Sequence, residues 1–163
     1  LNKKYIRTLT TNIIVAAVYV TITLLFGVLS FGVIQIRLSE GLNHLICYNT
    51  RYFLGIVLGV IIANVFSPLG LIDVFVGTFQ TVAGLGISLL IFKKVTDVKK
   101  RMMVNIAVMT VSMFIIALEL TYVFGLPFWP TYATVALGEA ISMTIGALLI
   151  YQINKVIDFK EKI

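Results

Sequence analysis

The sequence predicts an all-α integral membrane protein, and three observations carry that expectation. Of 163 residues, 60% are hydrophobic and only 12% charged, about half the charge of an ordinary soluble domain. The apolar residues gather in runs that approach the roughly 20 residues a spanning helix needs. The basic residues fall in short clusters between those runs, the pattern that orients membrane helices. That clustering also argues against a nucleic-acid partner despite the net charge of +6, because the bases form no continuous binding face. The expectation is a single transmembrane domain over 1–163.

The first crossing is placed at 9–29. Its apolar run is too long for the core of a signal peptide and lacks a small-residue cleavage signature, so a retained helix is expected. A polar segment follows at 35–40. The stretch 41–66 reads either as one span interrupted by Asn49, Thr50 and Arg51 or as two short spans meeting there. Charge decides between them. The bases are Lys3, Lys4 and Arg7; then Lys93, Lys94, Lys99, Lys100 and Arg101; then Lys155, Lys160 and Lys162. One crossing would put both later clusters outside, against the preference of Lys and Arg for the cytoplasm. Two crossings put all three clusters inside, with Arg51 joining them.

Six helices are therefore expected, at approximately 9–29, 38–49, 52–66, 71–92, 102–124 and 132–153, with both termini cytoplasmic. The second is short for a bilayer, as happens where a span is tilted or shielded by neighbours. Ser67-Pro68-Leu69-Gly70 reads as a tight external turn. Gly125-Leu126-Pro127-Phe128-Trp129-Pro130 reads as the other external loop. The localisation that follows is a cell membrane, crossed several times.

Four carboxylates interrupt or border these spans: Glu40, Asp73, Glu119 and Glu139. An ionisable group in hydrocarbon costs roughly 2.5–3.5 kcal/mol even on the lenient insertion scale, so it normally faces a cavity, a partner or a substrate. The six-helix plan puts all four in the outer half, together with Gln35, Arg37, Asn64, Thr78, Gln80 and Tyr122. Only Arg37 supplies fixed positive charge there, so the layer favours a cationic or donor-rich ligand. Asp97, Asp158 and Glu161 fall in the cytoplasmic basic segments as solvated ion-pair partners.

Several of these residues have plain structural readings as well. Arg37 and Glu40 make a local ion pair, and Asp73 is placed to cap the fourth helix. Asn64 reads as interhelical glue, and Trp129 as an interfacial aromatic. His44 reads as packed or hydrogen-bonded rather than metal-ligating. The pairs Gly55 and Gly59, and Gly84 and Gly86, suit close helix approach. The single cysteine, Cys47, excludes an internal disulfide and a multi-cysteine metal site, and reads as a small buried apolar residue. Glu119 and Glu139 have no cap to make and no base at their depth, which makes them the strongest ligand candidates. No metal and no cofactor is expected.

The order of short motifs resembles a known family. Gln35-Ile36-Arg37-Leu38-Ser39-Glu40-Gly41-Leu42-Asn43, Ala63-Asn64, Gly70-Leu71-Ile72-Asp73-Val74 with Gly77-Thr78, and Gly138-Glu139 together resemble the queuosine-precursor transporter family (QueT) over nearly the whole chain. Its members are substrate-binding S components of energy-coupling factor (ECF) transporters in bacterial cell membranes. The resemblance implies the same six-helix bundle and capture of a 7-deazaguanine precursor of queuosine from outside. It implies partners too: a transmembrane coupling T component and two cytoplasmic ATPases, whose ATP hydrolysis topples the S component in the membrane. The chain has no Gly-rich phosphate loop of its own.

A deazaguanine presents adjacent ring N–H and amine donors that suit both oxygens of one carboxylate. Its carbonyl needs a donor, for which Asn64, Gln35 or Arg37 serve. An aminomethyl-bearing precursor adds a cation for a second carboxylate, and Trp129 or Tyr132 offers a stacking face. The implied substrate-binding set is thus Glu119, Glu139, Glu40, Asp73, Asn64, Arg37, Gln35, Tyr122 and Trp129. The family commonly places Ala-x-x-x-Ala on the first helix against the coupling subunit. Here Ala16 is followed four residues on by Val20 and Ala17 by Thr21, so Ala16, Ala17 and Thr21 are the expected contacts, with only the second pair keeping the small-residue spacing.

Three rivals are weaker. An S component for another vitamin, such as folate or pantothenate, would seat an anion among four acids. An intramembrane enzyme lacks a serine–histidine pair, a metal cluster or an Asp-rich isoprenoid motif. A scaffold subunit without a ligand leaves the buried acids unexplained.

Overall fold

The computed structural model describes residues 2–31 and 35–161, the side chain of Lys4 apart. Lys162, assigned above to the last basic cluster, lies outside the described residues. The described chain is all helical: α1 (Lys3–Leu25), α2 (Gly27–Ser30), a 3-10 helix (Leu38–Cys47), a 3-10 turn (Thr50–Tyr52), α3 (Phe53–Val65), α4 (Leu71–Phe92), α5 (Val98–Phe124) and α6 (Phe128–Ile153). Within α1, α4, α5 and α6 lie stretches long and apolar enough to cross a membrane, Tyr5–Leu25, Leu71–Phe92, Val98–Phe124 and Phe128–Ile153.

The elements close into a ring. Helix α1 packs on α3, α3 on α4, α4 on α5 and α5 on α6, while the 3-10 helix fits between α6 and α1 and completes the circuit. The 3-10 helix is the most enclosed element, with Glu40, Gly41, Asn43, His44, Ile46 and Cys47 all buried. The second helix expected at 38–49 is therefore corrected in kind: it is a 3-10 helix rather than an α-helix. A 3-10 helix rises about 2.0 Å per residue against about 1.5 Å for an α-helix. Ten residues thus reach about 20 Å instead of about 15 Å, which lengthens and thins a segment that is short for its place.

The thin segment is held by contact with α6 that only glycine allows. A Cβ on Gly41 would meet Gly146 Cα at 2.6 Å, and one on Gly146 would collide with Gly41 Cα. Next to this contact His44 hydrogen-bonds through Nε2 to the Met143 carbonyl at 2.9 Å, so the packed reading of this histidine is the observed one. Gly55 lies against Asn12 and Gly59 against Tyr19, as the close-approach reading requires. Gly84 meets Met109, but Gly86 has nothing within 4 Å and serves no helix contact.

Two ends of the bundle are distinguished by their bonding. At one, the α3–α4 turn is closed by Gly70 N–H donating to the Ser67 carbonyl at 2.9 Å, with Gly70 at φ +60°. Helix α5 stops nearby at Gly125, whose φ of +67° gives the left-handed C-cap that glycine favours. At the other end, Arg101 donates to the carbonyls of Val95 at 2.7 Å, Cys47 at 3.1 Å and Phe92 at 3.3 Å. It thereby ties α4 and the 3-10 helix to the start of α5. The segment after α6 folds back: Tyr52 donates to the Phe159 carbonyl at 3.2 Å, Asn49 to Lys160 at 3.2 Å, and Arg7 to Glu161. Asp97 caps α5 by accepting from Lys100 N–H at 2.9 Å, a more defined role than a solvated ion-pair partner. Inside a bilayer such packing and bonding hold helices together, since lipid is as apolar as leucine.

Candidate functional site

Two of the four carboxylates pair with one guanidinium, and the other two lie within its electrostatic reach. Arg37, just before the 3-10 helix, has Nη1 3.8 Å from Glu40 Oε1 and Nη2 4.0 Å from Asp73 Oδ2. Nη1 also donates to Asn64 Oδ1 at 3.1 Å, and its guanidinium carbon lies 5.4 Å from the centre of the Phe31 ring. Glu119 from α5 and Glu139 from α6 both interact electrostatically with Arg37, Glu119 also with Asp73 and Glu139 also with Glu40. All four acids are at least 94% buried, with relative exposures of 4, 5, 6 and 2% for Glu40, Asp73, Glu119 and Glu139.

The four are not equivalent. Glu40 is satisfied on both oxygens, receiving the Tyr19 hydroxyl on Oε1 and the Asn43 amide on Oε2 at 2.5 Å. Tyr19 and Thr23 share one face of α1, four residues apart, and Thr23 bonds Ser39 at 2.6 Å. Helix α1 thus clamps the start of the 3-10 helix and fixes the position of the Glu40 side chain. Asp73 sits in the first turn of α4, where a negative charge suits the helix dipole as expected, but its carboxylate pairs with Arg37 rather than accepting a capping N–H. Among the described residues, by contrast, neither carboxylate oxygen of Glu119 has a hydrogen-bond partner, nor has Oε1 of Glu139. A buried acceptor without a partner is costly, and Glu119 and Glu139 place such oxygens in one layer.

Two adjoining cavities reach this layer. A polar one of about 20 Å³ is lined by Gln35, Arg37, Glu40, Asp73, Gln80 and Glu139, with Gly77, Met113 and Ile116. It holds no more than a water or so. The other, of about 380 Å³, lies between the Ser67–Leu69 turn, the end of α5 and the start of α6, within the size range of small-molecule sites. Gln35 and Asp73 line both, so the larger apolar cavity is a vestibule above a polar floor. Gln35 has φ +50°, a strained conformation for a residue with a side chain. Glu119 follows Ile116 of the floor by three residues and precedes Leu120 of the vestibule by one.

Of the residues expected to bind ligand, the structure gathers Glu119, Glu139, Glu40, Asp73, Asn64, Arg37 and Gln35. Asn64 is already committed on both sides, accepting from Arg37 and donating to the Asp73 carbonyl at 3.0 Å. Tyr122 and Trp129 do not join them. They are 91% and 72% exposed, because their positions on α5 and α6 point away from the cluster. Trp129 instead belongs to an aromatic group with Phe128 at 5.0 Å, where Phe128 stacks on Tyr132 at 6.1 Å. Tyr19, Asn43, Phe31 and Gly77 were not anticipated as site residues. The Tyr19 signal was present as a polar tip on an apolar span facing the Glu40 segment, but spacing alone does not show which tyrosine turns inward. Gly77 matters because a Cβ there would meet Asn64 Nδ2 at 2.6 Å.

Comparison with known proteins gives this arrangement its family. A family profile described as "QueT transporter" matches residues 9–155. The chain belongs to the QueT transporter family. It is 35% identical over 157 residues to a protein named queuosine precursor transporter QueT from Lactococcus lactis subsp. cremoris (strain MG1363), covering 91% of this chain and 92% of that one. No solved structure matches it significantly. Membership of QueT makes the chain a membrane transporter protein, in keeping with its four long apolar helices, and the match spans every element that lines the two cavities.

Proposed function

We propose that this chain is the substrate-binding S component of an ECF-type importer and captures a 7-deazaguanine precursor of queuosine from outside the cell. The observation that carries the reading is the pair of buried carboxylates with unpartnered oxygens among the described residues, both oxygens of Glu119 and Oε1 of Glu139, beside the Arg37 cluster. The name of the Lactococcus relative supplies the ligand class. In this reading α1, the 3-10 helix and α3 to α6 make six crossings. The end carrying Lys3, Arg101 and the fold-back after α6 is cytoplasmic, and the vestibule opens outward.

The flat heterocycle enters through the vestibule and lodges its polar edge on the floor, displacing side chains that now close the small cavity. One free carboxylate takes the ring N–H and the exocyclic amine together; the other pairs with the cation of an aminomethyl substituent. Arg37 keeps the four acids from repelling one another. With Tyr122 and Trp129 facing away, stacking falls to the rings nearest the vestibule, Phe31 and Phe124. The chain itself does no chemistry; separate ATPases act through a coupling T component.

The coupling face is assigned to α1. Ala17 and Thr21 are exposed and Ala16 is buried. Together with Val20, Leu58 and Ile62 they line a groove of about 410 Å³ between α1 and α3. The Thr21 hydroxyl donates back to the Ala17 carbonyl at 2.8 Å, so no unsatisfied polar atom opposes close approach of a partner helix.

Glu119→Gln and Glu139→Gln test the site. Each removes the charge from a hydrogen bond worth about 1.5–3 kcal/mol, so affinity for an aminomethyl deazaguanine should fall roughly 10–100-fold. Neither change breaks a bond within the protein, so melting temperatures should hold or rise. Unchanged affinity in both variants would remove the assignment.

A further inference from the structure

Another cavity lies far from the acid layer, at the end of the bundle that holds the fold-back after α6. It measures about 580 Å³ and lies between the start of α1, the start of α3 and α4. Its apolar walls are Tyr5, Phe53, Leu54 and Leu89, and its polar lining is Asn2, Thr8, Thr50 and Arg51. Among the described residues, no carboxylate lines it. The transport reading uses none of these residues.

Arg51 gives the cavity its chemistry. Its backbone N–H caps locally onto Asn49 Oδ1 at 3.1 Å, but its exposed guanidinium has no hydrogen bond or ion pair among the described residues. Among the described acids of this end, Asp97 caps α5, Asp158 accepts from Lys160 N–H at 2.9 Å, and Glu161 lies in the fold-back where its carbonyl accepts from Arg7. Lys93 follows Leu89 by one helical turn, toward the same end. By position in the chain every described Lys and Arg except Arg37 belongs to this end. The walls below Arg51 are apolar and open to the flank of the bundle: Leu54 is 63% exposed and Tyr5 58%.

A free guanidinium and a hydroxyl above an apolar, lipid-facing groove match one class of ligand. We infer that this cavity binds an anionic phospholipid, its phosphate held by Arg51 and Thr50 and an acyl chain laid against Leu54, Phe53 and Leu89. Basic pockets between membrane helices on the cytoplasmic side take anionic headgroups, and charge complementarity sets this occupant above a zwitterionic lipid or a protein segment. The site is separate from the deazaguanine site, and its test does not depend on that ligand.

The test is native mass spectrometry of the purified chain with phosphatidylglycerol, phosphatidylcholine of identical acyl chains, or inorganic phosphate. Phosphatidylglycerol should be retained preferentially. Arg51→Gln should reduce that retention about fivefold, and Leu54→Glu, which puts a carboxylate into the groove at an exposed position, should reduce it further. Melting temperature in phosphatidylcholine should be the same for Arg51→Gln as for the parent, showing that the variant folds. Equal retention of the two lipids, or unaltered phosphatidylglycerol retention in both variants, would overturn the inference. So would inorganic phosphate that competes as well as the lipid, because the groove would then have no part.

Discussion

Arg37→Ala is expected to be the most damaging single change to the candidate site. Its guanidinium stands between Glu40 at 3.8 Å and Asp73 at 4.0 Å and holds Asn64 at 3.1 Å. Removing one partner of a buried ion pair leaves an uncompensated charge and costs about 3–5 kcal/mol. Here one removal uncovers several acids at once, and some must then take up protons or water. The expected result is a large fall in melting temperature together with loss of ligand retention. Arg37→Lys should recover part of the stability, because a point charge still faces the acids. It should not recover all of it, because an ammonium does not offer the planar fork that reaches Asn64 and both carboxylates. Thermal unfolding of the three proteins in the same detergent decides the matter; an unaltered melting temperature in Arg37→Ala would mean that the acids are not held by this residue.

The second large effect is steric. Gly146→Ala would place a methyl group on the backbone of Gly41, where no flexible side chain can give way. Overpacking in a tight core typically costs about 1–3 kcal/mol, and backbone against backbone lies at or above the upper end of that range. Because Gly41 follows Glu40 directly, the displaced segment carries the Arg37–Glu40–Asp73 cluster with it. Gly146→Ala should therefore lower both melting temperature and ligand affinity. Gly86→Ala is the matched control. It lies within α4 with nothing within 4 Å of a new Cβ, and replacing a mid-helix glycine should stabilise by about 0.5–1 kcal/mol. Equal behaviour of the two variants would show that the 3-10 helix does not depend on this contact.

Much of this architecture was legible before any coordinates. The long spans announce themselves by apolar runs, and α4 begins and ends where the runs predict. The turn at Ser67 to Gly70 is readable because proline and glycine punctuate it. The local geometry of Leu38–Cys47 was not legible. A 3-10 and an α-helix present nearly the same apolar pattern over ten residues, and the choice is made by α1 and α6 on either side. The lengths of α5 and α6 were underread at their starts, since Val98 to Arg101 and Phe128 to Thr131 are polar or loop-like by composition but helical once capped by Asp97 and led in by Pro127.

The acids follow the same division. Their cost in hydrocarbon made all four conspicuous, and the six-helix plan counted from the basic clusters brought them into one layer. Which of them is already satisfied depends on side chains from other helices. Tyr19 and Asn43 occupy Glu40, whereas no described side chain bonds Glu119. Aromatic residues are harder still, because a tryptophan near a helix end suits an interfacial belt and a stacking platform equally well. The rotation of α6 decides that Trp129 faces outward.

Equilibrium binding of labelled 7-aminomethyl-7-deazaguanine to the purified chain in lipid nanodiscs tests the central claim most directly. The account predicts saturable binding of one ligand per chain without ATPases or coupling subunit, undiminished by an excess of folate or pantothenate. A folded chain that fails to bind the deazaguanine, or that binds one of those vitamins in its place, would contradict it.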